Sequence, residues 1–204
     1  MKNYFNKLKE FLFDGILNNK IFLVFLLCFF VIGLIVAVIS FVSFKDYISL
    51  YNLSDKLLLN HILHNFSGFK YFILKLLVYI LIFFVVLLLC SNNILKYFIS
   101  LIILYLSYNL LFNFLLITYI FGLFGCIFAI VNILIIGLIN IALIIIFALI
   151  CLQAKFEYNC YNYFNSIYSI LPVLLVIVAG FVVVLFLQAL LIPILSNTFV
   201  IIYE

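Results

Sequence analysis

Residues 97–154, YFISLIILYLSYNLLFNFLLITYIFGLFGCIFAIVNILIIGLINIALIIIFALICLQA, decide the fold, because this stretch contains no Asp, Glu, Lys, Arg or His. One helix crosses a bilayer core about 30 Å thick with roughly 20 apolar residues. The stretch is too long for one crossing and predicts two, joined by a turn. The turn is expected at FGLFG, residues 121–125, where two glycines weaken the helix. A third short crossing or a re-entrant hairpin within 97–154 stays open.

Composition extends this interpretation to the whole chain. Hydrophobic residues make up 71% of the 204 residues and charged residues 8%, against roughly 45–50% and 25% in soluble domains. The chain is therefore expected to be an all-α, polytopic integral membrane helical bundle, with 1–204 as a single membrane domain. About five transmembrane helices are predicted, at 21–44, 71–90, 97–119, 126–152 and 167–190.

An interfacial amphipathic helix is predicted in the polar loop between the first two spans. Over residues 54–66, leucine, isoleucine and phenylalanine share one helical face, and His61 and His64 lie on the opposite face. The basic segment 1–20 is a second candidate for an interfacial helix. In the first span, Gly33 and Ala37 give a small face that favours close helix contact.

The lysines give the predicted orientation and partners. Lysines 2, 7, 9, 20, 96 and 155 fall on one predicted side and 45, 56, 70 and 75 on the other. The excess favours a multi-pass protein of the cell membrane with a cytoplasmic N-terminus and, after five spans, an outside C-terminus. Membrane lipid is an expected partner of the protein. The lysines do not cluster into a basic face, so no nucleic-acid partner is expected.

Four asparagines interrupt the apolar block. Asn109 and Asn113 lie four apart in the third span, and Asn132 and Asn140 lie eight apart in the fourth. A carboxamide that faces lipid has unsatisfied donors and acceptors, so these side chains are expected to make interhelical polar contacts. The alternative is that they line a polar pathway.

Catalytic and metal chemistry find little support in the sequence. His61 and His64, three apart on one helical face, make a zinc site conceivable, but no Glu follows the first His and a third ligand is missing. The favoured interpretation is the wet face of the interfacial helix.

The five cysteines contain no CxxC pair and are expected to pack as small apolar residues, with a disulfide or a metal as the alternative. Lys75 alone is ionisable within a predicted span, near its edge. No enzyme activity, cofactor or metal is therefore expected.

The order of these features resembles the stage II sporulation protein M family. The likeness rests on four places: VIGL at 31–34 in the first span, LHN at 63–65 leading into FKY at 69–71, GCIFA at 125–129, and YSILP at 168–172 leading through Ala179 and Gly180 to IPIL at 192–195. The second and third spans lack glycine and proline, and the connector 155–165 lacks basic and histidine character, where the family pattern has them.

The resemblance implies a non-enzymatic integral membrane scaffold. In that role the protein recruits and localises peptidoglycan hydrolases at the septum during forespore engulfment, and its partners are other membrane or cell-wall proteins. The family has no catalytic motif to transfer, so no residue inherits a role. The alternative function is a permease-like subunit of a transport complex, with Asn109, Asn113, Asn132 and Asn140 along a passage. A weaker alternative is a metal-dependent membrane enzyme that uses His61 and His64.

Overall fold

A computed structural model describes residues 17–50, 68–92, 94–153 and 171–190. The helices in these ranges are Lys20–Leu50, Gly68–Cys90, Ile99–Ala129, Ile136–Gln153 and 171–190, with a 3-10 turn at Leu95–Phe98 and a π-helical segment at Ile130–Ile135. These ranges contain no strand. The expected all-α helical bundle is confirmed.

Among the described residues, five helical segments are long and apolar enough to cross a membrane, and the chain is a multi-pass membrane protein by this criterion. They are called spans 1 to 5 below: Lys20–Lys45, Phe72–Cys90, Leu95–Tyr119, Gly125–Gln153 and Leu171–Leu190. Long uninterrupted apolar sequence forms helices here because the backbone must satisfy its own hydrogen bonds in lipid. The block 97–154 supplies two of the five spans.

Gly122 breaks the helix between spans 3 and 4. Its backbone angles are φ 61° and ψ −137° inside the otherwise helical run Ile99–Ala129. A side chain at positive φ is strained, so glycine is the residue that permits this bend. The predicted position of the turn is confirmed.

Aromatic contacts at both ends of spans 1 and 3 give the relative direction of these two spans. Phe22, at the start of span 1, meets Tyr97 at the start of span 3, and Phe41, near the end of span 1, meets Tyr119 at the end of span 3. Spans 1 and 3 are therefore parallel. The end where span 3 begins is called the Lys96 side, and the end where it finishes is called the Gly122 side.

Spans 1 and 3 approach closely at mid-membrane. A Cβ built on Gly33 would collide with the Ser107 side chain and lie 2.5 Å from the Leu104 carbonyl oxygen. Ala37, one turn further, is fully buried. The Ser107 hydroxyl donates to the Leu104 carbonyl oxygen at 2.9 Å, so it is satisfied within its own helix. The small face predicted at Gly33 and Ala37 does make the close helix contact.

Most of the buried core lies in the half of the bundle nearest the Lys96 side. There the end of span 2 packs on the end of span 4, and Phe83 contacts the rings of both Phe147 and Phe181. The fully or nearly fully buried residues of this half include Leu26, Val86, Cys90, Ile99, Ile103, Ile144, Ile150 and Cys151. A large cavity lies in the other half of the bundle.

Several predictions lie outside the described residues. The interfacial helix at 54–66, with His61 and His64, falls there, as do the N-terminal segment up to residue 16, positions 167–170 of the fifth predicted span, and the tail. The helix that contains span 1 continues to Leu50, beyond the predicted end at residue 44, because the sequence stays helix-compatible past Lys45.

Candidate functional site: a polar cavity in one half of the bundle

A cavity of about 650 Å³ lies among spans 2, 3, 4 and 5. Its polar lining residues come from all four spans: Lys75, Tyr79, Tyr105, Asn109, Asn113, Asn140 and Gln188. Lys75 and Gln188 fall within a turn of the Gly122-side ends of their spans, whereas Asn140 is at the middle of span 4. The cavity therefore reaches from the Gly122 side to the membrane midplane.

The cavity exists because spans 2 and 3 diverge. The helix Gly68–Cys90 approaches the 3-10 turn Leu95–Phe98 closely, directly after the short connection between the two spans. It makes no comparable approach to the helix Ile99–Ala129. The two spans thus form a V that is closed at the Lys96 side and open toward the Gly122 side, with span 4 behind it.

Asn140 is the most buried polar group of the cavity. Its side chain is 2% exposed, and its carbonyl oxygen Oδ1 has no hydrogen-bond partner among the described residues. The same side chain lies beside Tyr79 of span 2, where its amide nitrogen Nδ2 can donate to the tyrosine hydroxyl. A buried acceptor without a donor costs about 1–3 kcal/mol. This oxygen therefore favours any ligand group that donates a hydrogen bond to it.

The positive charge of the cavity sits near its mouth. Lys75 lies four residues before Tyr79 on span 2, so the two share one helical face about 6 Å apart along the axis. Both line the cavity, with Gln188 of span 5. Lys75 and Gln188 also have interactions within the protein. An ammonium group carries three donors, so Lys75 can hold such a contact and an anion together.

Span 3 supplies a polar stripe. Tyr105, Asn109 and Asn113 follow one another at intervals of four residues and all line the cavity. Asn109 is half-buried, Asn113 is exposed, and Tyr105 is 62% exposed. The stripe therefore runs along the open edge of the V, where the cavity faces sideways.

Span 4 forms the back wall with an irregular backbone. The π-helical segment Ile130–Ile135 precedes Gly137 and Asn140, and Ile133 and Gly137 line the cavity. π-helical turns inside α-helices often occur at functional sites. Leu110 packs so closely on Gly137 that a Cβ there would lie 2.6 Å from its Cδ1. Glycine at position 137 thus lets span 3 pack close to span 4.

The structure places three of the four predicted asparagines, Asn109, Asn113 and Asn140, around one space. The side chain of Asn132 lies outside the described part of the chain, and only its π-helical backbone is seen. Sequence reasoning missed Tyr79 and Gln188 and treated Lys75 as a headgroup anchor. The available signal was the four-residue spacing of Lys75 and Tyr79, which gives span 2 a polar face like the one that Asn109 and Asn113 give span 3.

No family model matches the chain, and no curated protein or solved structure matches it either. The interpretation of the cavity therefore depends on its own chemistry.

The described residues contain no cluster of three or more His, Cys, Asp or Glu side chains that could hold a metal ion. Cys90 and Cys151 nevertheless meet where spans 2 and 4 end. Their side chains are neighbours, and the Cys90 thiol donates to the Ala148 carbonyl oxygen, with 3.6 Å between the two atoms. Both residues are buried in the core and are free thiols. Their packing is that of small apolar side chains with weak S–H donors.

Proposed function

We propose that this protein is a non-enzymatic integral membrane scaffold resembling stage II sporulation protein M. On this proposal it recruits and localises peptidoglycan hydrolases at the septum during forespore engulfment. The sequence order described above supports the resemblance. One structural observation supports a holding role over a conducting one: the cavity ends on an apolar core whose buried residues, among those described, include no charged side chain. Ions or polar solutes find no polar path through such a core.

The proposed orientation puts the N-terminus and the Lys96 side in the cytoplasm, and the Gly122 side and the C-terminus outside. Hydrolases of the cell wall work outside the membrane, so their contacts are expected at the loop 45–66 and the tail 196–204. The cavity then opens into the outer half of the membrane.

Affinity purification of the full chain from its own cell membranes tests the scaffold. We expect peptidoglycan hydrolases to co-purify, and we expect replacement of 196–204 or of 51–66 by a Gly/Ser segment of equal length to remove them. An internal control is a variant with Lys96→Gln, on the opposite side. Membranes from which the intact chain brings down no cell-wall hydrolase contradict the scaffold.

A second candidate function is a permease-like membrane subunit of a transport complex, and the polar lining of the cavity, as opposed to its closed inner end, is the observation in its favour. Asn109, Asn113 and Asn140 line it, as a polar pathway requires. Flux of small polar solutes into liposomes that contain the purified protein tests this function. Flux that Asn140→Leu or Asn132→Leu abolishes favours transport over scaffolding. Absence of flux in liposomes that contain the complete co-purified complex contradicts it.

A further inference from the structure

The occupant of the polar cavity follows from its shape and its chemistry. Hydrocarbon cannot hydrogen-bond the amides and hydroxyls that line it, and unsatisfied polar groups in a bilayer are costly. A cavity of about 650 Å³ is in the range of small-molecule sites, roughly 300–1,000 Å³. The polar residues that line the cavity therefore favour a polar ligand of about this volume.

The cavity is open to the lipid on one side. Leu74 and Val78 of span 2 form one lip and are 56% and 55% exposed, and Tyr105 and Asn113 of span 3 form the other. Spans 2 and 3 diverge between these lips. A headgroup inside the cavity can therefore stay joined to acyl chains that remain in the surrounding bilayer.

The height of the opening separates a lipid from a partner helix. The V between spans 2 and 3 closes at the Lys96 side, where span 2 meets the 3-10 turn Leu95–Phe98. From the Gly122 side the cavity lining reaches no further than mid-span positions such as Tyr105 and Asn140, so the opening covers about one leaflet. A transmembrane helix of a partner needs roughly 30 Å of uninterrupted groove. A lipid occupies one leaflet, which fits the opening.

The charge and the unpaired acceptor define the headgroup. Lys75 near the mouth favours an anionic group, and the Tyr79 hydroxyl, one turn deeper, is an additional donor. Asn140 Oδ1, buried and without a partner among the described residues, needs a donor that a bare phosphate diester lacks. A headgroup with both an anion and a hydroxyl meets all three groups.

We propose that this cavity binds the headgroup of an acidic, hydroxyl-bearing lipid, which enters sideways between spans 2 and 3. The anion lies at Lys75 and a headgroup hydroxyl donates to Asn140 Oδ1. The acyl chains remain in the Gly122-side leaflet. The site depends on neither scaffolding nor transport, so its failure leaves the proposed function untouched.

Native mass spectrometry of the full-length protein in neutral detergent tests the site. Phosphatidylglycerol has the anion and the hydroxyls, phosphatidylmethanol has the same phosphodiester anion without a hydroxyl, and phosphatidylcholine has no net charge. We expect one phosphatidylglycerol to be retained in preference to either of the others. Lys75→Gln is expected to weaken its binding about tenfold, the size of one charge-assisted hydrogen bond. Lys96→Gln, the same charge change outside the cavity, is expected to leave it unchanged.

The role of Asn140 is tested separately. Asn140→Leu is expected to erase the preference for phosphatidylglycerol over phosphatidylmethanol while keeping the preference for acidic lipid. Leucine is close to asparagine in volume and leaves no unpaired acceptor, so the variant is expected to fold, which circular dichroism checks. Glycerol 1-phosphate, the soluble headgroup, is expected to compete poorly because it lacks acyl chains.

Three results overturn the proposal. The first is equal retention of the three lipids by the unchanged protein. The second is an equal loss of phosphatidylglycerol binding in Lys75→Gln and Lys96→Gln, which would mean that the lipid responds to the overall charge of the protein and not to this cavity. The third is competition by glycerol 1-phosphate as strong as by the lipid, which reports a site for a soluble phosphate ester.

Discussion

Replacing Gly33 by alanine tests the contact that joins spans 1 and 3. The added methyl group would collide with the Ser107 side chain and lie 2.5 Å from the Leu104 carbonyl oxygen, about 1 Å short of ordinary van der Waals contact. The carbonyl is backbone, so the two helices must separate to relieve it. Overpacking of this kind costs about 1–3 kcal/mol, and the higher helix propensity of alanine returns up to about 1 kcal/mol. We expect Gly33→Ala to lose about 1–2 kcal/mol.

Gly180→Ala is the matched control for this change. Gly180 is also helical and within a span, but among the described residues no heavy atom beyond its own helix backbone and chain neighbours lies within 4 Å of a Cβ built on it. Its substitution is expected to be neutral or to stabilise the protein by up to about 1 kcal/mol. A third variant, Gly33→Ala with Ser107→Gly, removes the side-chain collision and leaves the one with Leu104, so we expect it to recover part of the loss.

Titration with sodium dodecyl sulfate in mixed micelles, followed by circular dichroism, measures the free energy of unfolding of the three variants. The account predicts a difference of about 2 kcal/mol between the two single substitutions, in favour of Gly180→Ala. Equal unfolding free energies for Gly33→Ala and Gly180→Ala would refute the reasoning, because the two substitutions differ in the close helix approach.

Three further changes to the protein have expected outcomes. Gly122→Ala is expected to cost about 1–3 kcal/mol because φ is 61° there. Among the described residues, no atom beyond its chain neighbours and own helix backbone lies within 4 Å of an added Cβ, so the backbone angle sets this cost; an unchanged unfolding free energy contradicts this bend. In a variant without the other three cysteines, a membrane-permeant oxidant is expected to form a disulfide between Cys90 and Cys151, which peptide mass spectrometry detects. If no disulfide forms under conditions that oxidise exposed control thiols, the two side chains are not in contact. Asn140→Leu with Tyr79→Phe is expected to keep the stability of the lipid-free protein or raise it, because an unpaired acceptor is removed; a loss above about 2 kcal/mol would mean that the pair is structural.

The spans were predictable because length and apolarity are local properties of the chain. Residues 97–154 without a charge already required two crossings, and the glycines at 122 and 125 marked the bend. Gly33 and Ala37 gave the helix face that meets span 3, since small residues at an interval of four form one stripe. These features need no knowledge of which helices are neighbours.

The cavity was not predictable in the same way, because it depends on the angle between two helices. Hydropathy treats Tyr79 as one more residue of an apolar span, and it treats Lys75 as a headgroup anchor. Only the divergence of spans 2 and 3, with span 4 behind them, brings these residues to Asn140. The interfacial helix, the histidine pair and the orientation stay predictions.

The central claim is that a polar cavity opens at the Gly122 side and ends at mid-membrane on an apolar core. Single cysteines at Asn113 and Ile144, in a cysteine-free background, test it most directly with a membrane-impermeant thiol reagent applied to each face of oriented vesicles. The account predicts that Asn113→Cys reacts from the Gly122 side alone and that Ile144→Cys reacts from neither side. Reaction of Ile144→Cys from either side, or of Asn113→Cys from both sides, would contradict it.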